Sequence, residues 1–411
     1  MSPTLETARA LDAADRLRGF RSRFVLPPGV IYLDGNSLGP MPLAARAKLA
    51  EVAEREWGEG LIRSWNDADW IGAPERVGAK IARLIGAAPG EVVVADSTSV
   101  NLFKLLVAAL RARPDRRVVL TETGNFPTDL YVAGGAAGVA SDTSVRAVDP
   151  ADVQGAIDGD TAVVMLTHVH YKSAARRDMA TLTAAAHAAG ALILWDLSHS
   201  AGAIEVDLNA CDADLAVGCG YKFLNGGPGA PAFLYVADRL QETLASPLTG
   251  WMGHAAPFDF VDDYRPAAGV KRFLCGTPPI LGLATLEAGV DLALEVAPAD
   301  LAAKSAELWD FFHDLMEARL AGQGFSLATP ADPAVRGSHI SYGHPMGYAI
   351  MQALIARGVI GDFREPDVVR FGLTPLYLGF EDLWRAVEIL AQIMSAQAWR
   401  ESPPRQAGRV T

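Results

Sequence analysis

The chain has 411 residues, 50% of them hydrophobic, with a formal net charge of −12 and an isoelectric point near 5.2. That length can bury a large core and suits one large domain with a smaller one or two. The acidic balance argues against nucleic acid or a membrane surface as partner, since both favour clustered Lys and Arg.

Apolar residues at near-helical spacing (Leu11, Ala14, Leu17, Phe20, Phe24) predict an amphipathic helix over 5–24, stopped by Pro27, Pro28 and Gly29. The segment YLDGNSLGPMP, 32–42, reads as a short strand, a turn and a proline near a helix start. Asp34, Asn36 and Ser37 in that turn are, by turn chemistry alone, only turn formers. Helices are expected over 43–58 and 75–85, and a strand over 91–95. A helix then opens at DSTSVNL with Thr98 and Ser99, where unpaired N–H groups and the positive dipole end collect anions such as phosphate. Either hydroxyl would otherwise be an ordinary N-cap.

Strands are expected over 118–121, 144–148 and 162–167, and helices over 150–157 and 179–189. This alternation predicts an α/β fold with a doubly wound, mainly parallel sheet. Between two of these elements GNFPTDLY, 124–131, offers Phe126 as a flat face and Asp129 as a carboxylate at a strand end. A lone Phe126 would otherwise be core.

The stretch 192–235 carries two charges that a buried sheet should not hold. Asp196 closes the apolar run Leu192–Trp195, and Lys222 follows a second run, 215–220, with Tyr221 between. Ligands of parallel sheets bind at the carboxyl ends of strands, where both charges fall. Pyridoxal phosphate chemistry needs a lysine for a Schiff base and a carboxylate beside the ring nitrogen. Taken singly, Asp196 would cap a turn and Lys222 would be a surface lysine. Paired at neighbouring strand ends before a glycine-rich loop, they point to the cofactor.

After 236 the pattern changes. The aromatic, Gly/Pro-rich loop 246–279 is expected to close the site. Helices over 279–296, 299–320, 346–357 and 381–396 and strands over 325–328, 338–342 and 368–371 make a small α+β domain. In it Arg370, in VVRFGL, could grip a carboxylate with two parallel hydrogen bonds, or be an edge-strand surface residue. The expected division is an N-terminal segment 1–45 packing on the small domain, a large cofactor-binding domain 46–280, a small domain 281–400 and a disordered tail 401–411. Cys211, Cys219 and Cys275 form no CxxC pair or zinc spacing, so no metal site is expected and a reducing compartment is. With no apolar signal segment and no membrane-length apolar run, the chain reads as cytoplasmic.

On these residues the chain resembles the kynureninases of bacterial type, fold-type-I pyridoxal 5'-phosphate enzymes that cleave kynurenine to anthranilate and alanine. The resemblance spans nearly the whole chain. It rests on YLDGNSLG, STSVNL, NFPTDLY, WDLSHSAGAIEVDL, GCGYKFLNGGPGAP, GWMGH, CGTPPIL and RFGLTPLYLGFED, in the family's order. It implies that Lys222 carries the Schiff base, Asp196 pairs with the ring nitrogen and Phe126 stacks on the ring, with Pro127, Thr128 and Asp129 alongside. Thr98 and Ser99 would hold the phosphate, and Thr167, His199 and Tyr221 match further cofactor contacts. Trp251 and Thr277 match positions that reach the cofactor from a neighbouring subunit, which implies a homodimer with shared sites. Arg370 matches the arginine that binds the substrate carboxylate.

The resemblance further implies a hydrolysis in which the freed Lys222 moves the α-proton, water attacks the γ-carbonyl and the β,γ bond breaks, with Tyr221 as a candidate for proton traffic. Gly276 and Thr277 follow the bacterial type, where the animal type, which favours 3-hydroxykynurenine, has a Ser-Asn pair. Trp65, in IRSWN, could add apolar area against the aniline ring, or be a core tryptophan. L-kynurenine is therefore the expected substrate and 3-hydroxykynurenine a poorer one, within tryptophan breakdown. Two rival readings remain on the same fold. A cysteine desulfurase would need a mobile nucleophilic cysteine, for which only Cys275 could serve; a non-catalytic cofactor binder would need an added module or a lost lysine, and neither is present.

Overall fold

The computed structural model describes residues 3–140 and 142–403, so the expected tail lies, from 404 on, outside the described residues. Two compact units are present: one of residues 44–170 and 177–294, the other of residues up to 43, 171–176 and from 295 on. No described helix is long and apolar enough to cross a membrane.

In the larger unit β1 (Val92–Ala95), β2 (Val118–Glu122), β3 (Ser144–Val148), β4 (Thr161–Thr167), β5 (Leu192–Asp196), β6 (Leu215–Gly218) and β7 (Ala232–Val236) form one sheet, in the order β1-β7-β6-β5-β4-β2-β3. β7 runs antiparallel to both neighbours, and the other pairings are parallel. The central strands are continuous apolar runs because helices cover both faces. These helices are α1 (Ala73–Leu84), α2 (Thr98–Arg111), α3 (Pro127–Val139), α4 (Met179–Ala188) and α5 (Ile280–Leu294). Val164, Ile193 and Trp195 share a core with α1, α4 and α5. Val163, Leu192 and Leu194 share the other core with α2 and α3, as the two-residue period of a strand requires. α2 and α3 each start just beyond the carboxyl end of a parallel strand, so their N-termini and the ends of β4, β5 and β6 lie along one edge of the sheet.

The smaller unit holds β8 (Ser326–Leu327), β9 (His339–Gly343), β10 (Asp362–Arg364) and β11 (Val368–Gly372), antiparallel in the order β10-β11-β9-β8, with α6 (Pro298–Leu320), α7 (Gly347–Ile355) and α8 (Phe380–Ser395). The helix Leu5–Ala14 belongs to it. Asp12 at that helix accepts from the Phe380 and Glu381 N–H groups at 2.7 and 3.0 Å, satisfying two orphan donors at the start of α8. Ile31–Tyr32 pairs in parallel with Val359–Ile360.

Several elements differ from the sequence expectation. The first helix stops at Ala14, where the Asp15 carboxylate takes the Leu17 N–H at 2.7 Å and draws the backbone out of the helical pattern; a 3-10 turn, Arg18–Arg23, follows. The helix expected over 150–157 is only a 3-10 turn, Gln154–Ala156, because Asp149 turns the chain by accepting from Ala151 N–H. α5, which the sequence reading assigns mostly to the small domain, belongs to the larger unit: its Leu283, Leu286 and Val290 complete a face of the sheet. The strand at 362–364 has no counterpart in the sequence reading.

Candidate active site

Strand parity decides what Asp196 faces. Leu192 and Leu194 lie on the face covered by α2 and α3, so Asp196, two residues on, points to that side. Thr167 follows Val163 and Met165 in the same way and is the register partner of Asp196. Asp196 is 4% exposed, and its Oδ1 accepts from the Ser198 N–H at 2.7 Å.

Lys222 is held by close backbone packing. A Cβ at Gly218 would sit 2.4 Å from the Phe233 ring, and one at Gly220 2.3 Å from the Pro231 carbonyl oxygen. Only glycine lets the end of β6 lie flush against the start of β7, and this fixes where the following Tyr221 and Lys222 emerge. Lys222 Nζ lies 3.0 Å from His199 Nε2, 6.0 Å from the Phe126 ring centre and 5.9 Å from that of Tyr221. Burial first, then Cys219 and Asp196, push the Tyr221 phenol above its usual range, so it keeps its proton at neutral pH.

Asp129, in the first turn of α3, is 3% exposed and has one oxygen, Oδ2, that no donor meets. Burial and the adjacent Asp196 raise its carboxyl well above the usual range, with Lys222 opposing. Two touching carboxylates in a dry site cannot both ionise cheaply. Asp129 therefore holds its proton more tightly than an exposed carboxyl does. Phe126 stands just before α3, 40% exposed, with Pro127 and Thr128 half-buried behind it.

One residue of this cluster escapes the sequence reading. Buried Asn125 accepts from Thr167 Oγ1 at 2.5 Å and from the Phe126 N–H at 2.7 Å, and donates to Thr121 Oγ1 at 3.2 Å. Thr167 thus positions the Phe126 turn through Asn125. An asparagine within NFPTD looks like ordinary turn chemistry, and only the sheet order brings β4 alongside β2 to reveal the bond.

Thr98 and Ser99 are the first two residues of α2, and neither is its cap: Ser97 is, accepting from Val100 N–H at 3.4 Å. Among the described residues neither hydroxyl has a hydrogen-bond partner, so both stay available at the helix start.

Trp65 and Trp251 form a second group, and the segment of Gly276 and Thr277 adjoins it where the Met252 N–H donates to the Cys275 carbonyl at 3.2 Å. Trp65 and Trp251 meet edge to face at 6.5 Å, and a ladder continues through Phe258 at 5.8 Å and Phe260 at 6.3 Å. Phe258 and Phe260 are 59% and 78% exposed, and Gly276 and Thr277 are exposed too. Among the described residues none of these four makes a hydrogen bond or ring contact with Lys222 or Asp196. Cys275 points its thiol at the Asp96 carboxylate, 3.7 and 3.8 Å from the two oxygens, and Asp96 pairs with the fully buried Lys104 at 2.7 Å. No group of three or more possible metal ligands occurs among the described residues.

In the smaller unit Arg370, on β11, is 1% exposed. Its Nε donates to Asp362 Oδ1 at 2.9 Å, and one Nη2–H goes to Asp362 Oδ2. The other Nη2–H goes to Ser37 Oγ at 2.9 Å, and one Nη1–H to the Tyr171 carbonyl. The two-bond grip that the sequence reading reserves for a ligand is made here to Asp362, and the Nη1 edge keeps one N–H. Asp362 and Arg370 are register partners across a hairpin. Reading DFREPDVVR as two short strands around Glu-Pro-Asp would have placed them opposite each other.

The fold and the sequence lead to different levels of kinship. A cysteine desulfurase from Thermococcus onnurineus NA1 superposes with a TM-score of 0.78 at 20% identity, covering 92% of this chain and 98% of that one. One from Escherichia coli does so at 0.77 and 18%, over 94% and 99%. At such identities the likeness shows the fold, the one named fold type I above, and leaves the chemistry open. Residues 301–390 match the family model described as Kynureninase C-terminal domain. The kynureninase of Pseudomonas fluorescens is 53% identical over 399 residues, 96% of each chain. That of Burkholderia pseudomallei strain 1106a is 53% identical over 403 residues, 97% of each. Identity on this scale, sustained from end to end, exceeds what a shared fold imposes, and the chain belongs to the kynureninase family.

Proposed function

We propose that this protein hydrolyses L-kynurenine to anthranilate and L-alanine with pyridoxal 5'-phosphate as cofactor. The observation that carries the reading is the constellation of Lys222, buried Asp129 and Asp196, and the partly exposed ring of Phe126 at one sheet edge. It fits the cofactor part by part. The orphan oxygen of Asp129 and the carboxylate of Asp196 suit a cationic ring N–H, Phe126 offers an apolar face, and the free hydroxyls of Thr98 and Ser99 at a helix start suit a phosphate.

The cofactor, when bound, supplies the electron sink that lets negative charge develop beside the substrate's amine-bearing carbon. The chain's residues do the rest. Asp196 would hold the ring nitrogen's N–H, with Asp129, its carboxyl raised by burial and by Asp196, beside it. Lys222 Nζ would take the substrate's α-proton, with His199 as its hydrogen-bond neighbour. Arg370 fixes the substrate's carboxylate and so the direction of the bond to be broken. As water adds to the γ-carbonyl and the β,γ bond breaks, Tyr221 Oη, protonated at neutral pH, can return a proton to the β-carbon. Cys275 does not suit sulfur transfer, because a thiolate there would face the Asp96 carboxylate.

Preference between substrates turns on Gly276, Thr277 and Trp65. A Cβ at Gly276 would meet nothing within 4 Å in this chain, so the missing side chain is no steric necessity and the position simply lacks a hydroxyl. A site without that polar group leaves nothing unpaired when the 3-hydroxyl is absent. The specificity constant for L-kynurenine should exceed that for 3-hydroxykynurenine by about tenfold to a hundredfold, the range an apolar pocket achieves against an added hydroxyl. Steady-state kinetics with both compounds tests this. A preference for the hydroxylated one refutes it, and turnover of neither refutes the function itself.

The working form is proposed to be a cytoplasmic homodimer whose Trp251 and Thr277 complete the partner copy's site. The ladder from half-buried Trp251 to exposed Phe258 and Phe260, with the exposed Thr277, supports it, since a surface this apolar calls for a partner. Lys222→Ala and Thr277→Arg proteins, each inactive, should on reassortment recover about a quarter of full activity. About half the dimers would be mixed, each with one intact site of two. Absence of recovery, with mixed dimers demonstrated by mass, would place Thr277 in its own chain's site.

A further inference from the structure

The smaller unit gathers four charged side chains around one point, Asp362 and Arg370 buried and Asp34 and Arg364 half-buried. Asp362 is gripped by Arg370, accepts from Ser37 Oγ at 2.7 Å and pairs with Arg364 at 2.8 Å. Asp34, three residues before Ser37, reaches the same cluster. Its segment sits flush on β11: Gly372 N–H donates to the Leu33 carbonyl at 2.7 Å, and a Cβ at Gly372 would lie 2.1 Å from Asn36 Oδ1. Asp34 Oδ1 is buried with no hydrogen-bond donor facing it.

Charge counting gives this arrangement a consequence. With both carboxylates ionised, Arg364 and Arg370 are fully neutralised and the cluster has no net attraction for an anion. With a proton on Asp34 it carries one positive charge, and Arg370 keeps one Nη1–H and Arg364 its half-exposed fork. We propose that Asp34 is a positioning residue that sets the charge of this cluster, so that a carboxylate ligand binds Arg370 and Arg364 together with uptake of one proton from solvent onto Asp34. The inference rests on Arg370 being the substrate-carboxylate residue.

The surroundings favour that proton. Burial and then the Asp362 charge raise Asp34 to about 7, against opposing pulls from Ser37 and Arg370. Burial would raise Asp362 as well, but direct contact with Arg370 and Arg364 holds it down at about 2. The other titratable groups facing Asp34 are phenols: Tyr32 on its own segment and Tyr377 beyond β11, both pushed up chiefly by burial and therefore neutral. Asp34 is thus the member of the cluster that changes charge near neutral pH. A bound anion raises its affinity for a proton further, so ligand affinity is complete below about 7 and lost as pH rises above it.

The test uses full-length holoenzyme and 4-(2-aminophenyl)-4-oxobutanoate, the substrate without its α-amine, whose own charge is constant from pH 6 to 9. Calorimetric titration in buffers of different ionisation enthalpy should show proton uptake rising toward one per ligand above pH 7, with affinity falling about tenfold per pH unit. Asp34→Asn holoenzyme should show no uptake and a flat affinity across the same range. Wild-type binding without uptake, a measurement that needs no variant to fold, overturns the inference, as does an Asp34→Asn protein that keeps the wild-type slope. Tight binding by Arg370→Lys holoenzyme at pH 6.5 would instead overturn the carboxylate reading of Arg370, and this inference with it.

Discussion

Lys222→Ala protein is expected to lose turnover of kynurenine and covalent attachment of its cofactor together. In the proposed mechanism the lysine serves both as the attachment point and as the base for the α-proton. Loss of a positioned acid–base group alone costs about 10² to 10⁴ in rate. No described group replaces it: His199 Nε2, 3.0 Å from the amine, is 4% exposed and turned toward the lysine itself. Borohydride reduction followed by intact-mass measurement separates the two losses. The native protein should retain the cofactor's mass and the variant should not. A variant that still trapped the cofactor and turned over at near-native rate would remove Lys222 from the mechanism.

Arg370→Ala should lower kcat/KM by about 30-fold to several thousand-fold, corresponding to about 2 to 5 kcal/mol for truncating one partner of a buried charged contact. Part of that loss will be structural. The substitution strands Asp362, fully buried and held ionised by this same guanidinium, and breaking a buried pair costs about 3 to 5 kcal/mol of stability. Arg370→Lys separates the contributions, since it keeps a charge near Asp362 but loses the fork that bonds Asp362, Ser37 and the Tyr171 carbonyl at once. The expected result is a lysine variant with a smaller fall in Tm and a KM still far above the native value. If Arg370→Ala leaves the specificity constant unchanged, another residue binds the carboxylate.

Lys222 and Asp196 are legible in the linear chain because each is a charge set against an apolar run, and burying such a charge is costly enough that sequence alone marks it; Asp129, read there as a strand-end carboxylate, lies instead in the first turn of α3. The glycines around Lys222 announce themselves for a related reason, since close backbone approach tolerates nothing else. The alternation of strands and helices likewise settles the doubly wound class, because local periodicity carries it. Tertiary structure alone decides what lies across from what. Asn125 joins Thr167 to the Phe126 turn only because β2 and β4 are neighbours, strands more than forty residues apart in the chain. The turn that reads as mere turn chemistry, Asp34 to Ser37, becomes part of a charged cluster because it docks on β11, over three hundred residues later. Arg370's commitment to Asp362, and the unequal hold of Asp34 and Asp362 on their protons, follow from distances and burial that no spacing in the chain encodes. Pairwise electrostatics depends on the folded separation, and sequence separation says almost nothing about it.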